Sequence, residues 1–465
     1  MSYEYCKNGR PLGQSHIYCK TRFVIAESNR VTIIQVGVIS VVIYTVKQGD
    51  SVYSISRKYG VPMQKIKDDN SLEEDQQLVI GQALVVMTDN VYYQVDPGES
   101  LYSIARAYAV PMNRILKANP KITDPSKITA GQVIVIPFSS PNLGKIEVNG
   151  YAFASINTDT LALTLPNLTY ISMFSYQVKP DGSLVAIPAG PVVQTAWQAG
   201  VAPMMVITNN KESGGFDSAI AHTILTDEEV QNTLIDNIIE TMDKVYFGLD
   251  VDFEYILQSD KENYNKFLRK VTARLHPLGY IVTTALAPKT SGSQSGLLYE
   301  AHDYPAQGTI VDHVILMTYE WGYTYGPARA IAPINEVEKV IKYAVSVIPS
   351  KKILMGIPNY AYDWTLPFVR GSSASPLTNP AAVRLAAKVG ARIQFDTVAQ
   401  SPFFDYYDSS AKHHIVWFED ARSIEAKMKL VNKYGLGGVS YWTINTFFSQ
   451  NWLVLNSMFT VAKVL

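Results

Sequence analysis

Three acidic residues, Asp250, Asp252 and Glu254, alternate with apolar residues along one short segment of the 465-residue chain. Side chains on a β-strand alternate between its two faces, so these carboxylates face one way, about 6.5 Å apart in succession. Three carboxylates in a row inside a protein repel one another and lose solvation, so at least one retains its proton near neutral pH. A protonated carboxyl beside an ionised one can act as a general acid next to a charge stabiliser.

From about Gly144 onward, strand-like runs alternate with segments of helical periodicity. These strands and helices must hold the row of carboxylates in place. The eight apolar, β-branched runs are Val148–Phe153, Thr169–Phe174, Met204–Thr208, Val245–Phe253, Tyr280–Leu286, Asp312–Thr318, Lys352–Ile357 and Gly437–Thr443. This alternation predicts an α/β fold, a (β/α)8 TIM barrel over residues 143–465. A doubly wound open sheet is the alternative, although no glycine-rich phosphate loop follows any run. In a barrel, Glu254 falls at the C-terminal end of its strand, where barrel active sites lie.

Two features of the barrel region refine this prediction. The longest gap between runs contains several prolines and the aromatic stretch Phe403–Tyr407, which predicts a small inserted subdomain at about residues 364–418. The segments Thr226–Glu229 and Ser259–Glu262 have the pattern of capping boxes and predict the starts of two helices.

A sequence repeat occupies the part of the chain before the barrel. Gly49 and Gly98 are 49 residues apart, and the same spacing relates three further pairs: Tyr53 and Tyr102, Pro62 and Pro111, Asn70 and Asn119. Each copy reads as strand, helix, helix, strand, with Ser51 and Ser100 at the positions of helix N-caps. The sequence therefore predicts two βααβ modules, at residues 43–88 and 91–138.

These modules resemble the LysM module, a small domain that binds glycans containing N-acetylglucosamine. The resemblance implies sugar contacts in the turn after the first strand and in the loop before the second strand. The predicted glycan-binding residues of the turns are Gly49, Asp50, Ser51, Gly98, Glu99 and Ser100. The predicted loops are 77–80 and 127–130. Ten basic and ten acidic residues balance over residues 43–138, which suits a neutral glycan.

The composition excludes several other classes of protein. The chain has 40 basic and 41 acidic residues, whereas proteins that bind nucleic acid show a basic surplus. Both cysteines, Cys6 and Cys19, lie in the first twenty residues, which excludes a disulfide scaffold and a cysteine zinc site in the remainder. The seven histidines are scattered, and the pair His413–His414 has no carboxylate or cysteine at ligand spacing, so we predict no metal and no cofactor.

The first 42 residues differ in character from the repeats. They carry a net charge of +3, and the apolar run Val31–Ile43 is too short to span a bilayer, which takes about 20 residues. We therefore predict no transmembrane segment and no clear signal peptide. Two interpretations remain open: a disordered N-terminal arm, or residues that are not native to the protein.

The acidic segment resembles the D-G-x-D-x-D-x-E signature of glycoside hydrolase family 18, the chitinase-like barrels. Phe247 stands at the position of the first signature Asp, and we expect activity to survive because that position is the farthest from the acid. The segments Leu316–Trp321 and Val439–Trp442 match two further strand ends of this family, with Glu320 in place of an Asp.

The resemblance implies a mechanism assisted by the substrate itself. Glu254 is the general acid, Asp252 orients the acetamido group of the substrate, Asp250 supports Asp252, and Tyr319 hydrogen-bonds to the acetamide oxygen. Trp442 is implied to lie under the sugar that is cleaved. The predicted substrate-binding residues are Trp442, Glu320, Trp321, Tyr151 and Asn359.

The order of two LysM modules and this barrel resembles the N-acetylglucosaminidases that degrade spore peptidoglycan during germination. The resemblance implies that the partner is peptidoglycan or another N-acetylglucosamine-containing glycan, in the spore coat or cortex of an endospore-forming bacterium. A secreted or cell-wall location is the alternative. A chitinase, an endo-β-N-acetylglucosaminidase on other glycans, and a catalytically weak glycan-binding spore-coat protein also remain open, as does the oligomeric state.

Overall fold

A computed structural model describes residues 41–88, 90–108, 110–137, 142–211 and 214–465. The predicted arm lies outside these ranges except for its last two residues, which belong to the first strand. The first module (module 1) therefore begins two residues earlier than predicted. Its elements are β1 (Val41–Thr45), α1 (Val52–Tyr59), α2 (Met63–Asp69) and β2 (Ala83–Met87). The second module (module 2) consists of β3 (Asn90–Gln94), α3 (Leu101–Ala107), α4 (Met112–Ala118) and β4 (Val133–Pro137).

Both modules have the predicted βααβ fold, with the two strands antiparallel. Ser51 caps α1 as predicted: its hydroxyl accepts from Ser54 N at 3.0 Å, and Ser54 Oγ accepts from Ser51 N at 3.0 Å. Ser100 and Ser103 form the same capping box on α3. The asparagine that ends the second helix then ties that helix to the last strand, because the side chain of Asn70 exchanges two hydrogen bonds with the backbone of Val85.

The large domain contains all eight predicted barrel strands. They are β5 (Lys145–Ala152), β6 (Tyr170–Val178), β8 (Ala202–Thr208), β9 (Gly248–Asp252), β10 (Ile281–Leu286), β11 (His313–Leu316), β12 (Ile353–Pro358) and β18 (Gly438–Trp442). Neighbouring strands are parallel, and the pairing of β5 with both β6 and β18 closes the sheet into a barrel. Two short strands extend the sheet, β7 (Leu184–Val185) and β19 (Thr460–Val461). The (β/α)8 prediction is confirmed.

Helices connect the barrel strands and cover the outside of the sheet. They are α5 (Thr158–Thr164), α6 (Gly190–Gln198), α7 (Ser218–Thr226), α8 (Glu228–Met242), α9 (Lys261–Leu275), α10 (Tyr304–Ile310), α11 (Ile334–Val347), α13 (Ala421–Tyr434) and α14 (Ser449–Met458). The described residues include no helix that is both long and apolar enough to cross a membrane.

The two predicted helix starts are each displaced. Thr226 is the last residue of α7 and donates to His222 O within that helix, so it cannot cap α8. Asp227 is the cap instead, and its carboxylate accepts from the backbone of Glu229 and Val230. The second start is displaced by a 3-10 turn, Gln258–Asp260, which precedes α9.

The insert is a five-stranded antiparallel sheet with one helix, α12 (Asn379–Val389). Its strands are β13 (Ala361–Leu366), β14 (Ser375–Leu377), β15 (Gln394–Asp396), β16 (Ser401–Tyr407) and β17 (His413–Trp417), so it begins three residues before the predicted position. Strand pairing gives the two adjacent histidines carboxylate neighbours that the sequence spacing did not show. His414 contacts Asp363 at 2.9 Å, and His413 lies 3.4 Å from Asp405.

Candidate active site

The row of carboxylates lies on the inner face of β9, as the alternation predicts. Asp250 and Asp252 are buried inside the barrel, and the apolar residues Leu249, Val251 and Phe253 are fully buried on the opposite face. The strand itself ends at Asp252, one residue earlier than predicted, so Glu254 stands in the loop just beyond the strand's C-terminal end. Barrel active sites occupy this end.

The other end of β9 is apolar. Phe247, which replaces the first Asp of the signature, packs with Tyr170, Ala202 and Met204 at the N-terminal end of the strand. The next residue must be glycine because a Cβ at Gly248 would lie 2.6 Å from the carbonyl oxygen of Ile281. An aromatic ring thus fills the position farthest from Glu254.

Asp250 is held by two hydroxyl donors, one from the adjacent strand β10 and one from β5, which is not adjacent to β9. The Tyr151 hydroxyl donates to Oδ2 at 2.6 Å, and the Thr283 hydroxyl donates to Oδ1 at 2.5 Å. Burial raises the pKa of Asp250 to about 6, while these two hydrogen bonds oppose the increase. Of the three carboxylates, Asp250 is therefore the one whose negative charge is best stabilised by hydrogen bonds.

The negative charge of Asp252 is less well stabilised than that of Asp250. Its Oδ1 atom is buried, and no described residue donates a hydrogen bond to it. Burial, and then the neighbouring carboxylates of Glu254 and Asp250, raise the pKa of Asp252 well above its ordinary value. A buried acceptor without a partner costs free energy, so this oxygen can form a strong hydrogen bond with a donor group on a ligand.

Glu254 is held through its backbone. The side chain of Asn209 accepts from Glu254 N at 3.0 Å and donates to Glu254 O at 2.9 Å. The preceding carbonyl, of Phe253, is 3.1 Å from His302 Nε2. Burial, followed by repulsion from Glu320, raises the pKa of Glu254 to about 8. The side chain therefore carries a proton at neutral pH, as a general acid requires.

His302 supports this loop as a neutral residue. Its ring is buried, and burial lowers its pKa to about 4. Nδ1 accepts from the backbone N–H of Ala287 at 2.7 Å, so the proton is on Nε2, which donates to Phe253 O. Neither Asn209 nor His302 was predicted. Asn209 directly follows the third strand run, so the rule that active-site residues follow barrel strands could have found it.

Tyr319 and Glu320 follow β11, two strands away from β9, and lie near Asp252 and Glu254. Burial and the nearby charges of Asp252 and Glu254 raise the pKa of Tyr319 well above 10, so its hydroxyl remains a donor. Glu320 accepts hydrogen bonds from the hydroxyl groups of Tyr360 and Tyr362. Tyr362 belongs to the first strand of the insert, so the insert contributes to the cleft.

Trp442 lies at the end of β18 against an aromatic cluster. Its ring is 4.7 Å from that of Phe174 and 5.4 Å from that of Tyr151, both edge-to-face. Asn359 holds the chain that follows Trp442, because its side-chain amide donates to Thr443 O and Thr446 O at 2.8 Å each. Asn359 therefore positions this segment of chain, and its contact with substrate stays a prediction.

Two other predicted substrate-binding residues, Tyr151 and Trp321, contact other residues of the barrel. Tyr151 is only 2% exposed and its hydroxyl is committed to Asp250, so it positions that carboxylate. A contact of Tyr151 with substrate stays a prediction. Trp321 is half-buried and packs against the main apolar core of the barrel. A contact of Trp321 with substrate stays a prediction.

The predicted glycan-binding residues of the modules stabilise the turn after the first strand. Asp50 accepts from Tyr44 Oη and Lys47 N, both at 2.7 Å. Glu99 does the same in module 2, with Tyr93 Oη at 2.7 Å and Asp96 N at 2.9 Å. The glycines that begin these turns, Gly49 and Gly98, have φ values of +85° and +84°. Contact of these residues with glycan stays a prediction.

Comparison with known proteins agrees with the geometry of this site. The profile of Glycosyl hydrolases family 18 matches residues 133–446, and that of the LysM domain matches residues 44–86 and 93–137. The chain belongs to glycosyl hydrolases family 18. It is therefore a glycoside hydrolase with two LysM domains, and the row on β9 lies within the residues that the family profile matches.

Similar family 18 proteins include cortical fragment-lytic enzymes. That of Bacillus cereus is 44% identical over 435 residues, which cover 90% of this chain and 99% of that protein. The Bacillus anthracis enzyme is 43% identical over 433 residues, with the same coverage. The spore cortex-lytic enzyme SleL of Bacillus megaterium has a similar structure, with a TM-score of 0.84 and 39% identity over 92% of this chain and 100% of that one. SleL of Bacillus cereus has a TM-score of 0.79 and 41% identity, over 91% and 99% of the two chains.

The carboxyl pKa values predict a bell-shaped dependence of this family 18 enzyme on pH. We expect turnover to require a charged Asp250, which is lost below about pH 6, a charged Asp252, whose raised pKa also limits activity on the acidic side, and a protonated Glu254, which is lost above about pH 8. We expect kcat/KM to be highest between these values and to fall on both sides. The measurement is kcat/KM on a soluble glycan fragment from pH 4.5 to pH 9.5. The two apparent values belong to the coupled row of carboxylates.

The Tyr151→Phe variant tests the acid limb of this profile, which is the fall in kcat/KM at low pH. It removes the donor to Asp250 Oδ2 and leaves the ring in place, so the apparent pKa of the acid limb should rise by about 1. The alkaline limb, which belongs to Glu254, should stay within about 0.3 of its original position. An unchanged acid limb in the variant would mean that Asp250 does not control it.

Proposed function

We propose that the protein hydrolyses the β-1,4 bond that follows N-acetylglucosamine in peptidoglycan, and that it acts on fragments of spore cortex during germination. The observation that carries the proposal is the geometry at the end of β9. A proton held on Glu254 lies beside two buried carboxylates, one of which has an oxygen free to bind a ligand. The names of the similar Bacillus enzymes support cortex fragments as the substrate.

The mechanism uses the acetamido group of the substrate as nucleophile. Glu254 gives its proton to the glycosidic oxygen as the bond from that oxygen to the anomeric carbon breaks. The acetamido carbonyl oxygen attacks the same carbon, which yields an oxazolinium ion. Asp252 accepts the acetamide N–H and balances the positive charge, while Asp250 keeps Asp252 in place. The Tyr319 hydroxyl donates to the acetamide oxygen.

The second step restores the enzyme. Glu254, now ionised, takes a proton from water, whose oxygen attacks the anomeric carbon and opens the oxazolinium ring. Two displacements at the same carbon give overall retention of configuration. The enzyme itself forms no covalent bond with the sugar.

This mechanism restricts the bonds that can be cleaved. The sugar on the nonreducing side of the bond must carry an acetamido group, because that group is the nucleophile. Muramic lactam units of cortex lack a free acetamide, so cleavage should occur after N-acetylglucosamine. We propose a location in the spore coat or cortex because similar Bacillus proteins are named spore cortex-lytic enzymes, and fluorescence microscopy of a tagged protein in spores tests that location.

Product analysis tests the proposal. Purified cortex fragments are digested, the products are reduced with borohydride, and the new reducing ends are identified by mass spectrometry. We expect reduced N-acetylglucosamine at nearly every new end, and a much slower reaction on chitin oligomers of the same length. Muramic acid at the new ends would contradict the proposed bond, and faster cleavage of chitin would identify the enzyme as a chitinase.

A further inference from the structure

The two LysM modules have the same fold but different surroundings. In module 1 the outer face of the two-stranded sheet packs on α13 and α14 of the barrel, and Ala83 and Val85 are 3% and 0% exposed. The equivalent face of module 2 is more exposed: Val133 is 59% exposed, and Tyr92, whose ring lies beside Gly60 of module 1, is 38% exposed. The sheet of module 1 is thus part of the barrel core, whereas much of the sheet of module 2 faces solvent.

The loop before the last strand of module 1 packs against the insert. Val79 is 5% exposed and belongs to the apolar core of the insert, together with Ile393 and Phe404. Ile393 N donates to Ile80 O at 3.0 Å. A Cβ on Gly81 would lie 1.8 Å from the carbonyl oxygen of Ile393, so the two backbones are too close for any residue except glycine at this position. This loop is half of the predicted glycan-binding surface of module 1.

The same loop of module 2 is open. Thr129, Ala130 and Gly131 are all exposed. A Cβ on Gly131 would meet the side-chain amide of Gln94 in its own module, at 3.8 Å. The residue types agree with this difference, because Val79 is apolar where the loop is buried and Thr129 is polar where it is open.

Polar contacts also join module 1 to the barrel. The buried amide of Gln450, on α14, donates to Asn70 Oδ1 and Ala83 O at 2.9 Å each and accepts from Ala421 N at 3.1 Å. Arg422 donates to Gly81 O at 3.1 Å. A buried side chain with three satisfied hydrogen bonds specifies one orientation, because any other would leave polar groups unpaired.

We propose that module 1 is a docking module built into the catalytic domain, and that module 2 presents the open surface for an N-acetylglucosamine-containing glycan strand. The proposal rests on the proposed function, because it takes a glycan as the ligand. The insert covers the side of the predicted binding surface that the loop before the last strand of module 1 forms, so a sugar chain cannot enter there. Module 1 thereby holds module 2 in a defined position relative to the cleft.

The first experiment compares two equivalent tyrosines, Tyr53 of module 1 and Tyr102 of module 2, which are 63% and 68% exposed. Each is changed to alanine in the Glu254→Gln protein, and binding to insoluble peptidoglycan is measured by sedimentation. We expect Tyr102→Ala to weaken binding about tenfold, since exposed aromatic residues dominate such contacts. Tyr53→Ala should change binding less than twofold.

Each other outcome of this experiment overturns the proposal. Equal losses in the two variants would mean that module 1 also binds glycan, and no loss in either would mean that module 2 does not use this surface. Turnover of a soluble cortex oligosaccharide by the unsubstituted enzyme tests the proposed function separately. Failure of that reaction and failure of the binding comparison are therefore distinguishable.

The second experiment tests docking with the two equivalent glycines. Gly81 and Gly131 have φ values of +87° and +84°, so an alanine strains both backbones equally, but only Gly81→Ala collides with the insert. We expect Gly81→Ala to speed amide hydrogen exchange in α13 and α14 at least about tenfold, and Gly131→Ala to leave those helices unchanged. Unchanged exchange in the Gly81→Ala protein would overturn docking.

A milder pair of variants covers the case in which Gly81→Ala does not fold. Val79→Thr introduces the residue that module 2 carries at this place, and Thr129→Val is the reverse change. Val79→Thr should speed exchange in α13 and α14 about threefold to tenfold, whereas Thr129→Val should not change it. Equal effects of the two variants would overturn the proposal.

Discussion

Replacing Glu254 with glutamine should lower kcat by about 10²–10⁴-fold, the range typical of losing a general acid. Glutamine has nearly the same shape and cannot protonate the glycosidic oxygen, so KM for cortex fragments should change little. The measurement is the initial rate of release of reducing ends, with binding of the intact fragment followed by calorimetry. The backbone contacts of Asn209 with this residue do not depend on the carboxyl group, so the loop should stay in place.

Glu320→Gln is the matched control for this prediction. It also removes one carboxylate from the cleft, and its negative charge is one cause of the raised pKa of Glu254. We expect the alkaline limb of the pH profile to move to lower pH in this variant, while kcat at pH 6.5 falls less than tenfold. A Glu254→Gln protein that retained more than a tenth of the original kcat would show that another group supplies the proton.

Replacing Asp252 with asparagine should lower kcat by about 10²–10³-fold. An asparagine can still accept the acetamide N–H, but it has no charge to balance the oxazolinium ion. The loss should therefore appear in kcat rather than in the affinity for uncleaved glycan. Pre-steady-state kinetics with a soluble fragment separate the two quantities. A variant with normal kcat and weakened binding would contradict the proposed role of Asp252.

The folding stability of the Asp252→Asn protein gives an independent control. The pKa of Asp252 is higher in the folded protein than in the unfolded chain. At pH values between these two pKa values, the folded state keeps a proton that the unfolded state has lost. The free energy of unfolding therefore decreases as the pH rises between these two values. Asparagine does not titrate, so the Asp252→Asn protein should lack this decrease. We therefore expect the Asp252→Asn protein to have a higher melting temperature than the unsubstituted protein at pH 8, and a smaller difference at pH 5.

The sequence alone determined the barrel, the modules and the main catalytic candidates. The eight apolar runs specified the strands because parallel strands buried on both faces are nearly continuous in β-branched residues. The alternation from Leu249 to Glu254 specified which side chains share a face, since that depends only on the geometry of a strand. The repeat and the capping serines specified the modules, because a helix cap is made between residues three apart.

The tertiary structure decided everything that depends on residues far apart in the chain. Tyr151 and Asp250 are 99 residues apart, and closure of the barrel brings the hydroxyl to the carboxylate. Asn209 reaches Glu254 across 45 residues for the same reason. Sequence periodicity shows which side chains share a face of a strand but not how the strands are arranged around the barrel. The sequence therefore did not show the hydrogen bond from Tyr151 to Asp250, and it missed Asn209.

The different roles of the two modules also arise only in the folded protein. In sequence Val79 and Thr129 occupy the same place in one repeat, and both patterns form the same loop. The apolar surface that buries Val79 belongs to the insert and includes Ile393 and Phe404, more than 300 residues later. Local sequence therefore determined what each module is, and long-range packing determined what each module contacts.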